Sequence, residues 1–431
     1  MKSAISFALL AAATVHGAVH NSTVSATSVA DKFPIINFMG PTIEGASVNR
    51  KGELFAVNKT HFLSLKSGTS DPKNPKLTGP GDKTSHFASS RFTRTQDVLI
   101  GDAVGHSIWQ QDYNSSDLKR RWNGRFARRA YTPFLINDKL LQPNDFTING
   151  AETYLYMSGM NYTATTVAGE HGDVWYYNIK TGAYKQVPKE VMRGAGIHRC
   201  NGIDLSPDDK YLYVTSAQNI NDVVTSTKVY KFVIDPATGE PKNPTTEVDL
   251  YQVLSNAGVK ARERGMDPDG MRMDVEGNLF ITLNAIPGVL RWNTKAPGDG
   301  TYIPLTTVFA PSNLEFGGED GKTLYIVGRC QGLEKACVDA YKHDKPGRAI
   351  TNLRGTTPPK TNSNTGTGSG NSGNSTSPGT EYPNVSNPPN TGSGSPTDAE
   401  KEMMRMKLLE WIKIIEKYIA TWLKDGNPVP N

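Results

Sequence analysis

NGIDLSPDDKYLYVTSA, residues 201–217, runs from a short apolar stretch through an Asp-rich turn into a second stretch where apolar and polar residues alternate. β-branched and aromatic residues placed this way suit paired strands. The same plan recurs from Glu44 (EGASVNRKGELFAVN), Ser90 (SRFTRTQDVLIGDAVGHSIWQQD), Asn144 (NDFTINGAETYLYMSG), Pro268 (PDGMRMDVEGNLFITLN) and Pro311 (PSNLEFGGEDGKTLYIVG). Third strands follow in some units, as at Val174-Trp175-Tyr176-Tyr177 and Val289-Leu290-Arg291-Trp292. The units are spaced roughly 45 to 70 residues apart, a period that means propeller blades rather than solenoid turns. A β-sandwich would not repeat one hairpin six times. The expected fold is therefore all-β, a six-bladed β-propeller over residues 32–354, in which radial closure protects every sheet edge.

The ends of the chain are different objects. Lys2 precedes an apolar run from Ala4 to Val15, closed by the small residues Gly17 and Ala18. That layout predicts a secretory signal peptide over residues 1–18, too short for a membrane span. Residues 355–396 are rich in Ser, Thr, Asn, Gly and Pro and cannot bury enough surface to offset their ordering entropy, so they read as a disordered linker. Residues 397–425 then predict one amphipathic α-helix. Thr397 and Glu400 form a capping box, and Gly426 and Pro428 end it. Met404, Leu408, Trp411, Ile415, Tyr418 and Trp422 make a heptad seam for packing or self-association. Balanced charge along this helix weighs against docking on a lipid surface.

Composition narrows the function classes. The 431 residues carry Lys+Arg 47 against Asp+Glu 42, a net charge of +5, too slight to argue for nucleic acid. A mean hydropathy of −0.47 and no long apolar run beyond the N-terminus argue against a membrane-spanning chain. Export fits the Asn-x-Ser/Thr triplets at Asn21, Asn58, Asn114, Asn161, Asn374 and Asn384, which are candidate glycosylation sites in an extracellular protein. In an oxidising compartment Cys330 and Cys337 can close a short loop as a disulfide, and Cys200 reads as a buried small apolar residue.

Chemistry is expected where the repeats begin, because the first strand of every blade lines the central channel. Four repeats place an oxygen ligand there: Glu44, Asn144, Asn201 and Asp269. Two carboxylates and two amide carbonyls make a hard-oxygen cage that suits Ca²⁺ first, with Mg²⁺ or Mn²⁺ as alternative occupants. Zinc would call for His or Cys.

NGIDLSPDDKYLYV, PDGMRMDVEGNLFIT and PSNLEFGGEDGKTLYIV resemble the signature repeats of the SMP-30/gluconolactonase/luciferin-regenerating-enzyme family, over about residues 38–328. The resemblance implies a six-bladed propeller with one axial divalent cation and, in many members, lactonase activity. It implies metal ligands at Glu44, Asn201 and Asp269, and a pair contacting substrate or metal at Asn144 and Asp145. On that basis the expected function is a secreted metal-dependent hydrolase of a small lactone or related ester, with the cation polarising the carbonyl and a carboxylate activating water. Asp145 is the first choice for the base, and Asp269 the second as base or nucleophile. Asn144 would orient substrate, and Asn313, opening the sixth repeat, is expected to face the channel as a further substrate contact. The alternative is a non-catalytic, calcium-stabilised propeller that acts as a binding module. His198 could reach the channel mouth and His106 falls on an expected second strand, though a lone His is more often an ordinary residue. Lys119, Arg120, Arg121, Arg125, Arg128 and Arg129 read as a solvated loop, with an acidic substrate, a polyanion or a dibasic-cleaving protease as alternative partners. No Gly-Lys-Ser/Thr phosphate loop, Gly-x-Ser-x-Gly elbow or dinucleotide fingerprint is present.

Overall fold

Among the described residues, six sheets of three to five strands follow one another along the chain, each opening on an antiparallel pair at the repeat start read from the sequence. The computed structural model describes residues 19–65, 85–111, 121–122, 125–126, 131–284, 286–332 and 334–355. The expected signal peptide, most of the linker, the C-terminal helix, the triplets at Asn114, Asn374 and Asn384, and the side chains of the basic cluster from Lys119 to Arg129 lie outside the described residues.

The innermost strands of blades 1 to 6 are Ile43–Val48, Phe87–Phe92, Gln142–Ile148, Arg199–Leu205, Asp267–Met273 and Val308–Gly317. Each pairs with the next strand in sequence, so every blade is a meander running outward from the axis. Val174–Tyr177 and Val289–Trp292 lie on third strands, Gly172–Asn178 and Gly288–Asn293. The meander suits the sequence because the polar turns are short and the apolar stretches alternate, burying both sheet faces between neighbouring blades.

The ring closes on the N-terminal side of residue 32. Thr27–Ser28 pairs antiparallel with Ala336–Lys342 and supplies the fourth strand of blade 6. Val19–Asn21 runs parallel to Gly300–Pro304 and makes a fifth strand on blade 5. These strands are too short to carry a readable alternation, and they cover edges that would otherwise be open. Between blades the wedge is filled by apolar side chains, with ring pairs at the tightest points. Phe55 of blade 1 meets Phe92 of blade 2 at 4.9 Å, and Phe280 of blade 5 meets Phe316 of blade 6 at 5.1 Å, both edge-on. After blade 6 the short helix Arg348–Arg354 packs under the ring and buries Arg348, Ile350 and Leu353. Cys330 and Cys337 are bonded as a disulfide, and Cys200 is buried. No helix among the described residues is long and apolar enough to cross a membrane.

Candidate metal centre and active site

All six innermost strands break register at the same place. The irregularities fall between Glu44 and Ser47, Phe87 and Ser89, Pro143 and Asp145, Cys200 and Ile203, Pro268 and Met271, and Pro311 and Asn313. A bulge re-aims a side chain out of the ladder. Here the shared break leaves Ala88, Asn144, Asn201, Asp269 and Ser312 out of the ladder, and in blade 1 it follows directly after Glu44, which still pairs with Val57.

Three of these positions are followed by glycine, and the geometry gives the reason. A Cβ on Gly202 would stand 2.3 Å from the Asp269 carbonyl oxygen, and one on Gly270 would stand 2.9 Å from the Asn313 Cα. Gly45 has φ of +54° and would place a Cβ 2.8 Å from the Ser89 Cα. The Glu-Gly, Asn-Gly and Asp-Gly dipeptides are thus points where neighbouring inner strands approach too closely for a side chain.

The structure brings Glu44, Asn201 and Asp269 together. Asn201 Nδ2 donates to Asp269 Oδ1 at 2.8 Å, and both side chains are buried. Asn201 Oδ1 is buried without a hydrogen-bond partner. Burial raises the Glu44 carboxyl well above its ordinary range, and the neighbouring Asp269 charge adds to this, while the Ser312 hydroxyl and the Arg329 guanidinium act the other way. Burial likewise pushes Asp269 up to about 7, although Asn284 and Asn201 donate to it. Asn144 holds the matching place in blade 3 and is partly buried. Among the described residues it makes no hydrogen bond to the other three.

Three residues further down each strand lies a second ring: Ser47, Arg91, Thr147, Asp204, Arg272 and Glu315, which line a cavity of about 40 Å³ with Arg348 from the helix below. Asp145 belongs to this layer. Its Oδ1 accepts from Arg91 Nη2 at 2.9 Å and its Oδ2 from Arg272 Nη1 at 3.0 Å, and its side chain is fully buried. Arg272 also reaches Glu315 Oε2 at 2.9 Å and Asn313 Oδ1 at 2.9 Å. Arg348 Nη2 lies 2.7 Å from Asp204 Oδ1 and 2.8 Å from Thr147 Oγ1. Three guanidinium groups and three carboxylates therefore balance one another beneath the upper ring.

This layer corrects two expectations. Asp145 does not stand free beside Asn144 to activate water: both of its oxygens are engaged by arginines. Asn313 does not offer its amide oxygen to substrate, because Oδ1 accepts from Arg272 and from the Leu314 N–H, and Ser312 takes the axial place in blade 6. The physical reason is the bulge, which turns one residue into the upper opening and its neighbour into the lower layer. His198 accepts or donates at Thr166 Oγ1, 3.0 Å away, and burial lowers its pKa. His106 sits in the turn between strands Val98–Asp102 and Ser107–Gln111, not on a strand, with φ of +46° and Nδ1 at the Leu140 carbonyl. Asn21 and Asn161 are exposed, whereas Asn58 Nδ2 donates to the Met39 carbonyl at 3.0 Å.

Several residues at the upper opening carried no motif. Asn284 Nδ2 donates to Asp269 Oδ2 at 2.8 Å, and Arg329 Nη2 donates to Asn284 Oδ1 at 3.1 Å. Arg199 is buried between Asp267, whose two oxygens it meets at 3.0 Å, and the exposed Tyr162 ring, 4.8 Å from its guanidinium carbon. Arg199 and Asp267 each lie two residues before an upper-ring residue, a spacing that aligning the repeats would have shown.

Among the described residues no three of His, Cys, Asp and Glu come together as a ligand group. The donor set is two carboxylates and carboxamides. Two buried carboxylates and a buried, unpartnered carboxamide oxygen beside them fit a hard divalent cation, and the absence of thiolate and imidazole donors from this set disfavours zinc.

The chain belongs to the SMP-30/gluconolactonase/LRE-like family, whose model matches residues 50–328, with Glu44 just upstream of the match. Within that class the chain is 28% identical over 203 residues to a gluconolactonase of Zymomonas mobilis, covering 43% of this chain and 47% of the relative. It is 30% identical over 128 residues to an uncharacterized protein of Sulfolobus acidocaldarius, covering 29% of this chain and 39% of that one. The chain thus spans about half or less of the length of these curated relatives. A solved luciferin-regenerating enzyme shares the fold with a TM-score of 0.52 at 15% identity, over 75% of this chain and 96% of that structure.

Proposed function

We propose that the chain is a metal-dependent hydrolase of small lactones or related esters, with a divalent cation, Ca²⁺ first, held on the propeller axis by Glu44, Asn201 and Asp269. The observation that carries this reading is the meeting of these side chains from blades 1, 4 and 5, with Asn201 Oδ1 buried and unpartnered. The gluconolactonase of Zymomonas mobilis among the relatives supports the reaction class. When bound, the cation would supply Lewis acidity toward the substrate carbonyl.

The chain's own residues divide the remaining work. Asp269 is the carboxylate placed to act as base or nucleophile, while Asp145 serves as counter-ion to Arg91 and Arg272. Asn144, at the matching place in blade 3, orients substrate. Arg348 and the helix Arg348–Arg354 close the lower end, so substrate enters and product leaves by the upper opening. Export, glycosylation at Asn21 and Asn161, and self-association through the C-terminal helix remain part of the proposal; the Cys330–Cys337 disulfide supports an oxidising compartment.

Hydrolysis of a panel of sugar and aliphatic lactones and of paraoxon tests the reading, each run with calcium, with chelator and with Asp269→Ala. The expected result is turnover that needs both the cation and Asp269. Activity indifferent to chelator and substitution removes the mechanism. Inactivity on every substrate together with tight calcium binding replaces it by the binding-module reading.

A further inference from the structure

Asp269 has two oxygens and two amide donors, one from Asn201 and one from Asn284. A carboxamide can present either end to a neighbour, and only its surroundings decide which. For Asn284 the decision is made by Arg329. A guanidinium only donates, so Asn284 must turn Oδ1 toward Arg329 and Nδ2 toward Asp269. We propose that Arg329 and Asn284 are positioning residues that fix the orientation of the Asp269 carboxylate and thereby set the cation affinity of the axial site. This rests on the metal-centre reading above.

The charge of Arg329 makes the positioning role separable from a purely electrostatic one. Arg329 lies within electrostatic reach of Glu44. A fixed positive charge beside a cation site opposes binding by its field, so its contribution to binding must come from what it holds in place. The two roles predict opposite signs. If Arg329 acts through Asn284, its removal weakens cation binding. If it acts only as a charge, its removal tightens binding.

The test is titration calorimetry of the full chain with calcium alone. Asn284→Leu keeps the branched shape of the side chain and removes the amide; its calcium Kd is expected to rise about 10- to 100-fold, as for other groups that orient a metal ligand. Arg329→Met is expected to weaken binding in the same direction, the double variant no more than the worse single one, and Arg329→Lys to stay within about threefold of wild type. Melting temperatures in chelator, unchanged across the set, separate positioning from damage to the fold; Asn284→Ser replaces Asn284→Leu if the latter does not fold. A Kd for folded Asn284→Leu within about twofold of wild type, or tighter binding by Arg329→Met, overturns the proposal while leaving the metal centre standing. A wild-type chain that binds no calcium, magnesium or manganese removes both.

Discussion

Arg272 Nη1 lies 3.0 Å from Asp145 Oδ2, joining blade 5 to blade 3 three residues below Asp269. The pair is fully buried, and Arg91 completes it from blade 2. Removing one member of such a set leaves an uncompensated charge away from water. Asp145→Asn should therefore cost about 3–5 kcal/mol of stability, read by urea unfolding at pH 7. Its hydrolysis per folded molecule should fall by less than about tenfold, because the residue touches arginines rather than substrate. Loss of all turnover in a variant that melts like wild type would return Asp145 to the role of base.

The upper ring behaves differently. Asp269→Asn removes one of two carboxylates from a site whose carbonyl donor, Asn201 Oδ1, already lacks a partner. Calcium affinity should drop by at least about 100-fold, more than for an orienting group, and turnover should vanish with it. In wild type, chelator should lower the melting temperature, since a cation that binds only the folded chain stabilises it by mass action. Equal melting curves with calcium and with chelator would contradict the site.

The sequence made the six repeats visible because each polar turn is short and each strand alternates. It made Glu44, Asn201 and Asp269 visible because they are oxygen-bearing residues at equivalent places where the repeats begin, on the strands that line the channel. Asp145 and Asn313 were misread for one reason: a bulge sends adjacent residues to different layers, and no alternation rule says which goes where. The lower ring was present in the text at a fixed offset, as Ser47, Arg91, Thr147, Asp204, Arg272 and Glu315, each three residues after its upper partner. Arg91 was hidden because blade 2 has Ala88 above it, which offers no ligand. Asn284 and Arg329 sit on second strands, where nothing local distinguishes an amide facing the axis from one facing water. The strands Val19–Asn21 and Thr27–Ser28 are too short to announce themselves.

The glycine argument can be tested directly. Gly202→Ala places a methyl group 2.3 Å from the Asp269 carbonyl oxygen, a backbone atom that cannot swing aside. The inner strands of blades 4 and 5 must separate, at a cost of about 1–3 kcal/mol, and Asn201 and Asp269 must move with them. Calcium binding should weaken along with stability. Gly194→Ala, where an added methyl meets nothing within 4 Å, is the matched control and should leave both unchanged or improve stability slightly. Equal calcium affinity in the two variants would mean that the close approach does not position the ligands.

Asp173 gives the fold a pH dependence of its own. Its Oδ2 accepts from the Leu141 N–H at 3.0 Å and from Trp175 Nε1 at 2.6 Å, while Oδ1 is buried without a partner. Burial pushes its pKa from 3.8 up to about 6. The folded chain thus holds this proton more tightly than the unfolded chain does. The resulting stabilisation is complete below the unfolded value and is lost as the pH rises through about 6. Between pH 4 and pH 7 this one group should remove on the order of 3 kcal/mol of stability. Asp173→Asn keeps an acceptor for Leu141 and Trp175 and carries no charge at any of these values. Relative to wild type it should gain stability from pH 4.5 to about pH 7 in urea melts, with the steepest gain near pH 5, midway between the unfolded and folded values, and level off above that. A wild-type-minus-variant difference that stays flat across that range would show that Asp173 is charged in the folded protein throughout.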